Sequence, residues 1–363
     1  MQIPSLRDAD VSGKRVLVHV DFDVPLDMTR GEPQVIDDFR IRAALPTLQW
    51  LREHGASNII LISKLGRPEG TVVESLRMAP IAAHLATLID MTGIEMRENL
   101  RFDPREEAND KAYAKELASL GDIFVNESFA DSHREHASIV GIPKFIPGYA
   151  GIRFEQEVAH MEAALTPPAQ SLAIIGGAKF ETKQPLLEKL ASLYGTILLG
   201  GALANDLLKS RGLPIGASLT SDMGVPISLA QNPDIQEPID LLVKTPEGTS
   251  RSSNTGDVQH DEKIVDIGAR TVERWSAAIR DAEFVLWNGP TGIYEEGFVA
   301  ATDALAEAIA HGDCRALIGG GDTVAALSKI PFDSERVFIS TGGGAMLQFL
   351  AEGTLPGVEA LRR

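Results

Sequence analysis

Four glycine turns in the C-terminal half each follow a short apolar run: Gly176-Gly177-Ala178-Lys179, Gly200-Gly201-Ala202, Gly319-Gly320-Gly321-Asp322-Thr323 and Thr341-Gly342-Gly343-Gly344. Glycine lets the main chain approach a ligand closely, and a helix that starts there offers unpaired N–H groups to an anion. One such turn is weak evidence, but four at the carboxyl ends of parallel strands would line a single crevice. None reads G-x-x-x-x-G-K-[ST] or G-x-G-x-x-G, which argues against a P-loop NTPase and against a standard dinucleotide-binding dehydrogenase. Lys179 and Lys183 stand four residues apart at a helix start. A like-charged pair there costs about 0.2–0.5 kcal/mol in an isolated helix, so helix stability does not account for it. Two ammonium groups beside a glycine turn can hold neighbouring phosphates and neutralise a phosphoryl group in transit. Asp322 opens the next helix, where its carboxylate would either cap N–H groups or hold magnesium attached to a nucleotide phosphate. Trp287-Asn288-Gly289-Pro290-Thr291-Gly292 forms another strand-end turn, and Glu295 just beyond it is placed to accept hydrogen bonds from a ribose or to sit in an ordinary turn.

The N-terminal half carries cations instead. Arg40 follows Asp37-Asp38, Lys64 and Arg67 lie in Ser63-Lys64-Leu65-Gly66-Arg67-Pro68, Arg101 in Asn99-Leu100-Arg101-Phe102, and Arg134 after His133. Guanidinium forks match carboxylate and phosphate oxygens, so cations at successive strand ends predict a pocket for a small polyanion. Asp21 and Asp23 end the first strand and would either accept hydrogen bonds from a substrate hydroxyl or orient the arginines. His133-Arg134-Glu135-His136 lacks the third ligand a metal site needs. With neither a G-x-S-x-G elbow nor a credible cysteine nucleophile, direct transfer fits better than covalent catalysis.

Elements must bring these groups together. Strand-length apolar runs at 15–20, 58–62, 122–125, 172–175, 196–199, 284–287, 316–318 and 337–339 alternate with amphipathic stretches such as 41–54, 79–91 and 302–310. That alternation predicts an α/β fold of parallel sheets covered by helices. A length of 363 residues exceeds what one hydrophobic core usually serves, and two domains are expected. We place the junction where Pro, Gly and aromatics interrupt the pattern at 143–150, ahead of a helical stretch at 154–164. The domains are then 1–150, joined by a C-terminal tail 350–363, and 151–349. The single cysteine, Cys314, excludes an internal disulfide framework and reads as a buried small residue. A formal charge of −17 disfavours nucleic acid and anionic lipid as partners. No basic and apolar leader and no run of about 18 apolar residues is visible, which points to a cytoplasmic chain without a membrane span.

In order, segments 14–26 (KRVLVHVDFDVPL), 37–48, 63–70, 98–102, 122–138, 176–183, 287–295, 319–323, 340–345 and 355–361 resemble phosphoglycerate kinase over nearly the whole chain. The resemblance implies two Rossmann-like, doubly wound domains joined by a hinge. The N-terminal one would bind 3-phosphoglycerate, the other ADP or ATP with Mg2+, and the C-terminal tail would return to the first. By position, it implies an acceptor site of Asp21, Asp23, Arg40, Lys64, Arg67, Arg101 and Arg134. It implies a nucleotide site of Gly177, Ala178, Lys179, Lys183, Gly201, Asn288, Pro290, Glu295, Asp322 and Thr323, with Asp322 as the metal ligand. Arg40, Lys183, Gly343 and Gly344 would serve the transferred group, with Gly342 beginning that helix. In-line transfer on hinge closure, by a monomer, follows from the same resemblance.

The chain departs from the family where Asp23 replaces Asn, Lys64 replaces His and His19 replaces Arg, and in the wording of Asn126-Glu127-Ser128-Phe129 and Gly200-Gly201-Ala202-Leu203. It is also shorter, with the missing stretch between 218 and 281, so the family's adenine pocket does not transfer there. Altered acceptor affinity is expected. A kinase of another small carboxylate, or a catalytically weak nucleotide-binding scaffold, are the alternatives that these departures leave open.

Overall fold

The computed structural model describes residues 3–29, 31, 33–178, 180–327 and 329–362. The chain forms two compact units, residues 1–159 with 354–363, and residues 160–353. The first is built on a five-stranded parallel sheet. Its strands are β1 (Arg15–His19), β4 (Asn58–Ile62), β5 (Ile94–Met96), β6 (Ile123–Asn126) and β7 (Gly148–Ala150), in the order β5-β4-β1-β6-β7. A two-stranded ribbon, β2 (Leu26–Asp27) and β3 (Gln34–Val35), stands apart from it. Val16, Leu17 and Val18 of β1 are fully buried, as are Leu61 and Ile62 of β4. Strands covered on both faces read as continuous β-branched and aliphatic runs, which is why they were legible. β7 was not: its Gly-Tyr-Ala sequence lies within the stretch expected to interrupt the pattern, yet it pairs with β6 from Phe124↔Gly148 to Asn126↔Ala150.

The helix Ile152–Leu165 follows β7 directly. Its first N–H groups, on Arg153 and Phe154, donate to the Glu127 carboxylate at 3.1 Å each, and Thr47 Oγ1 donates to the same group. A carboxylate at a helix N-terminus satisfies orphan donors and the helix dipole together. Burial nevertheless pushes the Glu127 carboxyl up to about 7, against these hydrogen bonds. Gly151 makes room for it, since a Cβ there would lie 2.0 Å from Glu127 Oε2. The C-terminal helix Pro356–Leu361 belongs to the first unit, where Gly357 N donates to Ser132 O at 2.8 Å.

The second unit has a six-stranded parallel sheet ordered β10-β9-β8-β14-β15-β16. These strands are β8 (Ser171–Ile175), β9 (Thr196–Leu199), β10 (Ile235–Gln236), β14 (Phe284–Asn288), β15 (Arg315–Gly319) and β16 (Val337–Ile339). Trp275 and Trp287 are its largest buried side chains, and Cys314 packs in the same core. An antiparallel sheet ordered β12-β11-β13 occupies the shortened region, from β11 (Asp240–Lys244), β12 (Ser250–Asn254) and β13 (Lys263–Ile267). The sequence pattern did not reveal this sheet: its edge strand β12 (Ser250–Asn254) is Ser-Arg-Ser-Ser-Asn and has no apolar face of its own, although β11 and β13 carry apolar residues. Among the described residues no helix is long and apolar enough to cross a membrane.

Candidate active site

In the first unit the carboxyl ends of β1, β4 and β6 carry the predicted cations and carboxylates. Arg40 opens toward Asp21 from the helix Phe39–Glu53, its guanidinium 2.9–3.0 Å from both carboxylate oxygens. Lys64 Nζ lies 3.0 Å from Asp23 Oδ2 and 2.9 Å from Asp131 Oδ1. Gly66 N donates to Asp23 Oδ1 at 2.9 Å, and Arg101 Nη1 donates to Gly66 O at 2.6 Å, so the loop after β4 is pinned from two sides. Arg101 is buried and also meets Glu107 at 3.1 Å, Arg67 is exposed, and Arg134 is half-buried next to Asp131. Asp21, Asp23, Arg40, Lys64 and Arg101 are thus linked at one edge, with Arg67 next to Gly66 and Arg134 donating its main-chain N–H to Asp131 O at 2.9 Å.

Electrostatics here is set by mutual burial. Desolvation lowers the Lys64 pKa, but Asp131, Asp21 and Asp23 outweigh it and hold the pKa above the ordinary lysine value. Burial would likewise raise the Asp131 carboxyl, and the charge of Lys64 with hydrogen bonds from Lys64 and Ser128 holds it low. Asp21 is raised, because burial exceeds the pull of Arg40 and Lys64. Fully buried His19 is pushed down to about 4 by desolvation, so it is neutral. Asp131 was not among the residues predicted. Its signal was available in Ser128-Phe129-Ala130-Asp131, a polar turn at a strand end just before His133-Arg134, but a lone aspartate there reads equally as a cap. Among the described residues no group of three metal-ligating side chains occurs.

In the second unit the four glycine turns and the loop after β14 lie at the carboxyl edge of one parallel sheet, as expected. Three of them interlock through main chain: Gly176 N donates to Asn288 O at 2.9 Å, Gly177 N to Pro290 O at 3.1 Å, and Gly201 N to Thr291 O at 2.9 Å. Gly201 has φ +60°, and a Cβ there would stand 2.7 Å from Gly177 N, so no larger residue fits. Beside them is a cavity of about 280 Å³ lined by Gly177, Ala178, Gly201, Pro290, Glu295 and Asp322, among others. Asn205 and Asp266 also line it, and neither was predicted. Asp266 sits on β13, in the sheet that periodicity missed, and burial pushes its carboxyl up to about 6.

Lys183 is buried on the helix Phe180–Leu190, and its ammonium donates to Gly176 O, with Asn288 O 3.4 Å away. Desolvation lowers its pKa to about 8, only partly offset by Asp322. Lys179 lies outside the described residues. Asn288 and Thr323 turn to the main chain rather than to the cavity: Asn288 Nδ2 donates to Gly319 O at 2.9 Å, and Thr323 Oγ1 accepts from Gly289 N at 2.7 Å. Their part is to fix the loops, a role the linear motif does not distinguish from ligand contact. Asp322 makes no cap hydrogen bond, since Gly320 is the N-cap of Gly321–Ala326, and its carboxylate is exposed at the cavity. The capping alternative thus falls away. An exposed hard oxygen donor beside that cavity suits magnesium, which takes one or two carboxylates plus phosphate oxygens. Gly343, at φ +45°, is the N-cap of the helix Gly344–Glu352, and Gly342 N donates to Ser340 Oγ at 2.9 Å.

Comparison with known proteins gives a consistent result. The family model described as phosphoglycerate kinase matches residues 6–353. The phosphoglycerate kinase of Herpetosiphon aurantiacus is 42% identical over 395 residues, covering 99% of each chain, and that of a Roseiflexus species is 40% identical over 98% of each. The solved phosphoglycerate kinase of Coxiella burnetii superposes with a TM-score of 0.85 at 32% identity, covering 99% of both chains. That of Pyrococcus horikoshii gives 0.84 at 27% identity. Two parallel-sheet units, glycine turns at one strand edge, cations at the other and full-length likeness agree, and the chain belongs to the phosphoglycerate kinase family.

Proposed function

We propose that the family's reaction, reversible phosphoryl transfer between 1,3-bisphosphoglycerate and ADP giving 3-phosphoglycerate and ATP, is carried by the two clusters described above. The chain is a phosphotransferase of glycolysis whose acceptor is a carboxyl group. In our assignment, Asp21, Asp23, Arg40, Lys64, Arg67, Arg101 and Arg134 hold 3-phosphoglycerate. Gly177, Ala178, Gly201, Pro290 and Glu295 form the nucleotide wall, and Asn288 and Thr323 shape it. The observation that carries this reading is Lys183, a buried ammonium held beside Gly176 and Gly177, the second of which lines the cavity. A cation fixed in a dry setting before the reaction stabilises charge that develops during it.

Asp322 would hold magnesium bound with the nucleotide, and the ion supplies charge neutralisation at the phosphate oxygens. Arg40 and the N–H groups of Gly343 and Gly344 would face the group in transit. The chain's residues thus orient both reactants for in-line attack without a phosphoenzyme. Closure of the two units would exclude water from that attack. A cytoplasmic monomer acting on small molecules, with no nucleic-acid partner, completes the proposal. Its net charge of −17 supports the last point.

Coupled measurement of ADP release from ATP and 3-phosphoglycerate with magnesium tests the assignment. Turnover by the natural chain, lowered by orders of magnitude in Lys183→Ala, is expected. A folded natural chain without turnover would remove the assignment and favour another acceptor acid or a scaffold.

A further inference from the structure

The acceptor cluster holds more negative charge than an anion site needs. Three carboxylates, Asp21, Asp23 and Asp131, surround two cations, Arg40 and Lys64. Lys64 has three N–H donors, and two of them are directed at Asp131 and Asp23 before any ligand arrives. Asp131 itself is 2% exposed. Its Oδ1 meets Lys64, while its Oδ2 accepts from Ser128 Oγ at 2.9 Å. Ser128 is in turn fixed, because its N–H donates to Asn126 Oδ1 at 3.0 Å. This carboxylate is therefore locked from behind and reaches the ligand space only through the lysine it faces.

We infer that Asp131 is a positioning residue that sets acceptor affinity through Lys64, holding its ammonium toward Asp23 and cancelling part of its charge. An anionic acceptor then meets a lysine with about one donor left and a reduced field, and is held more weakly and released more readily than by an unpaired lysine. The inference rests on the assignment of this cluster as the acceptor site.

The test is a double-mutant cycle of Asp131→Asn and Lys64→Gln, read as separate KM values for 3-phosphoglycerate and for ATP. Asparagine keeps the shape: its amide oxygen remains on Lys64, and its amide nitrogen donates to the Ser128 hydroxyl. Asp131→Asn is expected to lower the acceptor KM about three- to tenfold with the ATP KM unmoved, and to steepen the salt dependence of the acceptor KM. In the Lys64→Gln background the same change has no effect on the acceptor KM. Ser128→Ala, which loosens Asp131 without removing its charge, shifts the acceptor KM in the same direction by less, and serves if the asparagine variant does not fold. An acceptor KM that rises, that moves together with the ATP KM, or that responds equally with and without Lys64 would overturn the inference. The natural chain is run alongside. Its failure to turn over 3-phosphoglycerate would overturn the site assignment itself, whereas normal turnover with an unresponsive KM sinks only the role of Asp131.

Discussion

The two clusters solve the same problem, holding multiply charged ligands in an acidic chain, by opposite means. In the first unit charge is held by charge: Arg40 on Asp21, and Lys64 between Asp23 and Asp131, with side chains drawn from three strand ends. In the second unit the buried ammonium of Lys183 is held by main-chain carbonyls, and the surroundings are glycine turns that donate to one another. The difference appears in protonation. Lys64 is held above the ordinary lysine value because its carboxylates outweigh burial, whereas Lys183 falls to about 8 because carbonyl dipoles and a more distant Asp322 do not. Side-chain pairing buffers a buried cation, and backbone solvation leaves it poised.

The strongest way to break the comparison is to remove each cation in turn. Lys183→Ala is expected to lower kcat about a hundred- to a thousandfold, since nothing else described beside Gly176 replaces its charge, and steady-state turnover would show it. Next is Gly201→Ala. The added Cβ collides with Gly177 main chain in a left-handed backbone, so the nucleotide KM should rise at least about tenfold with the acceptor KM unchanged. An acceptor KM that rose equally would mean that the two clusters do not act separately.

A pH profile sharpens the contrast further. The working form of Lys183 is the ammonium, so kcat/KM for the nucleotide in the free enzyme should fall as pH rises through about 8, where its proton leaves. Equilibrium binding of the acceptor should stay flat over the same range, because Lys64 retains its proton. Lys183→Arg, permanently charged, should abolish the alkaline fall whatever its absolute rate.

The smallest expected effect concerns stability. Glu106 is 2% exposed, bonds the Ser138 N–H and hydroxyl, and burial pushes its carboxyl up to about 7. A folded value above the unfolded one means that the folded state holds the extra proton between about 4.5 and 7. Its contribution is then present at acid pH and is lost as pH rises through 7. Glu106→Gln mimics the protonated acid, with its amide nitrogen donating to Ser138 Oγ. It should stabilise the protein by about 1–3 kcal/mol at pH 8 and by little at pH 5, read from denaturant unfolding.

Sequence patterning carried the parallel strands, because strands buried on both faces must be continuously apolar, and it carried the glycine turns, because close backbone approach tolerates no other residue. It did not carry β7 or β12, whose residues gain their faces only from neighbours. Nor did it carry Asp131, which lies 67 residues from Lys64 in the chain and becomes its partner only when β4 and β6 end at the same edge. Sequence by itself determined which residue types stand at the strand ends, and hence the family and the kind of chemistry. Tertiary structure alone decided which carboxylate faces which cation, that Asn288 and Thr323 turn inward to the main chain, and that Asp322 is left free of its helix cap. The reason is that charge state and hydrogen-bond direction depend on burial and on partners distant in sequence, which local pattern does not encode.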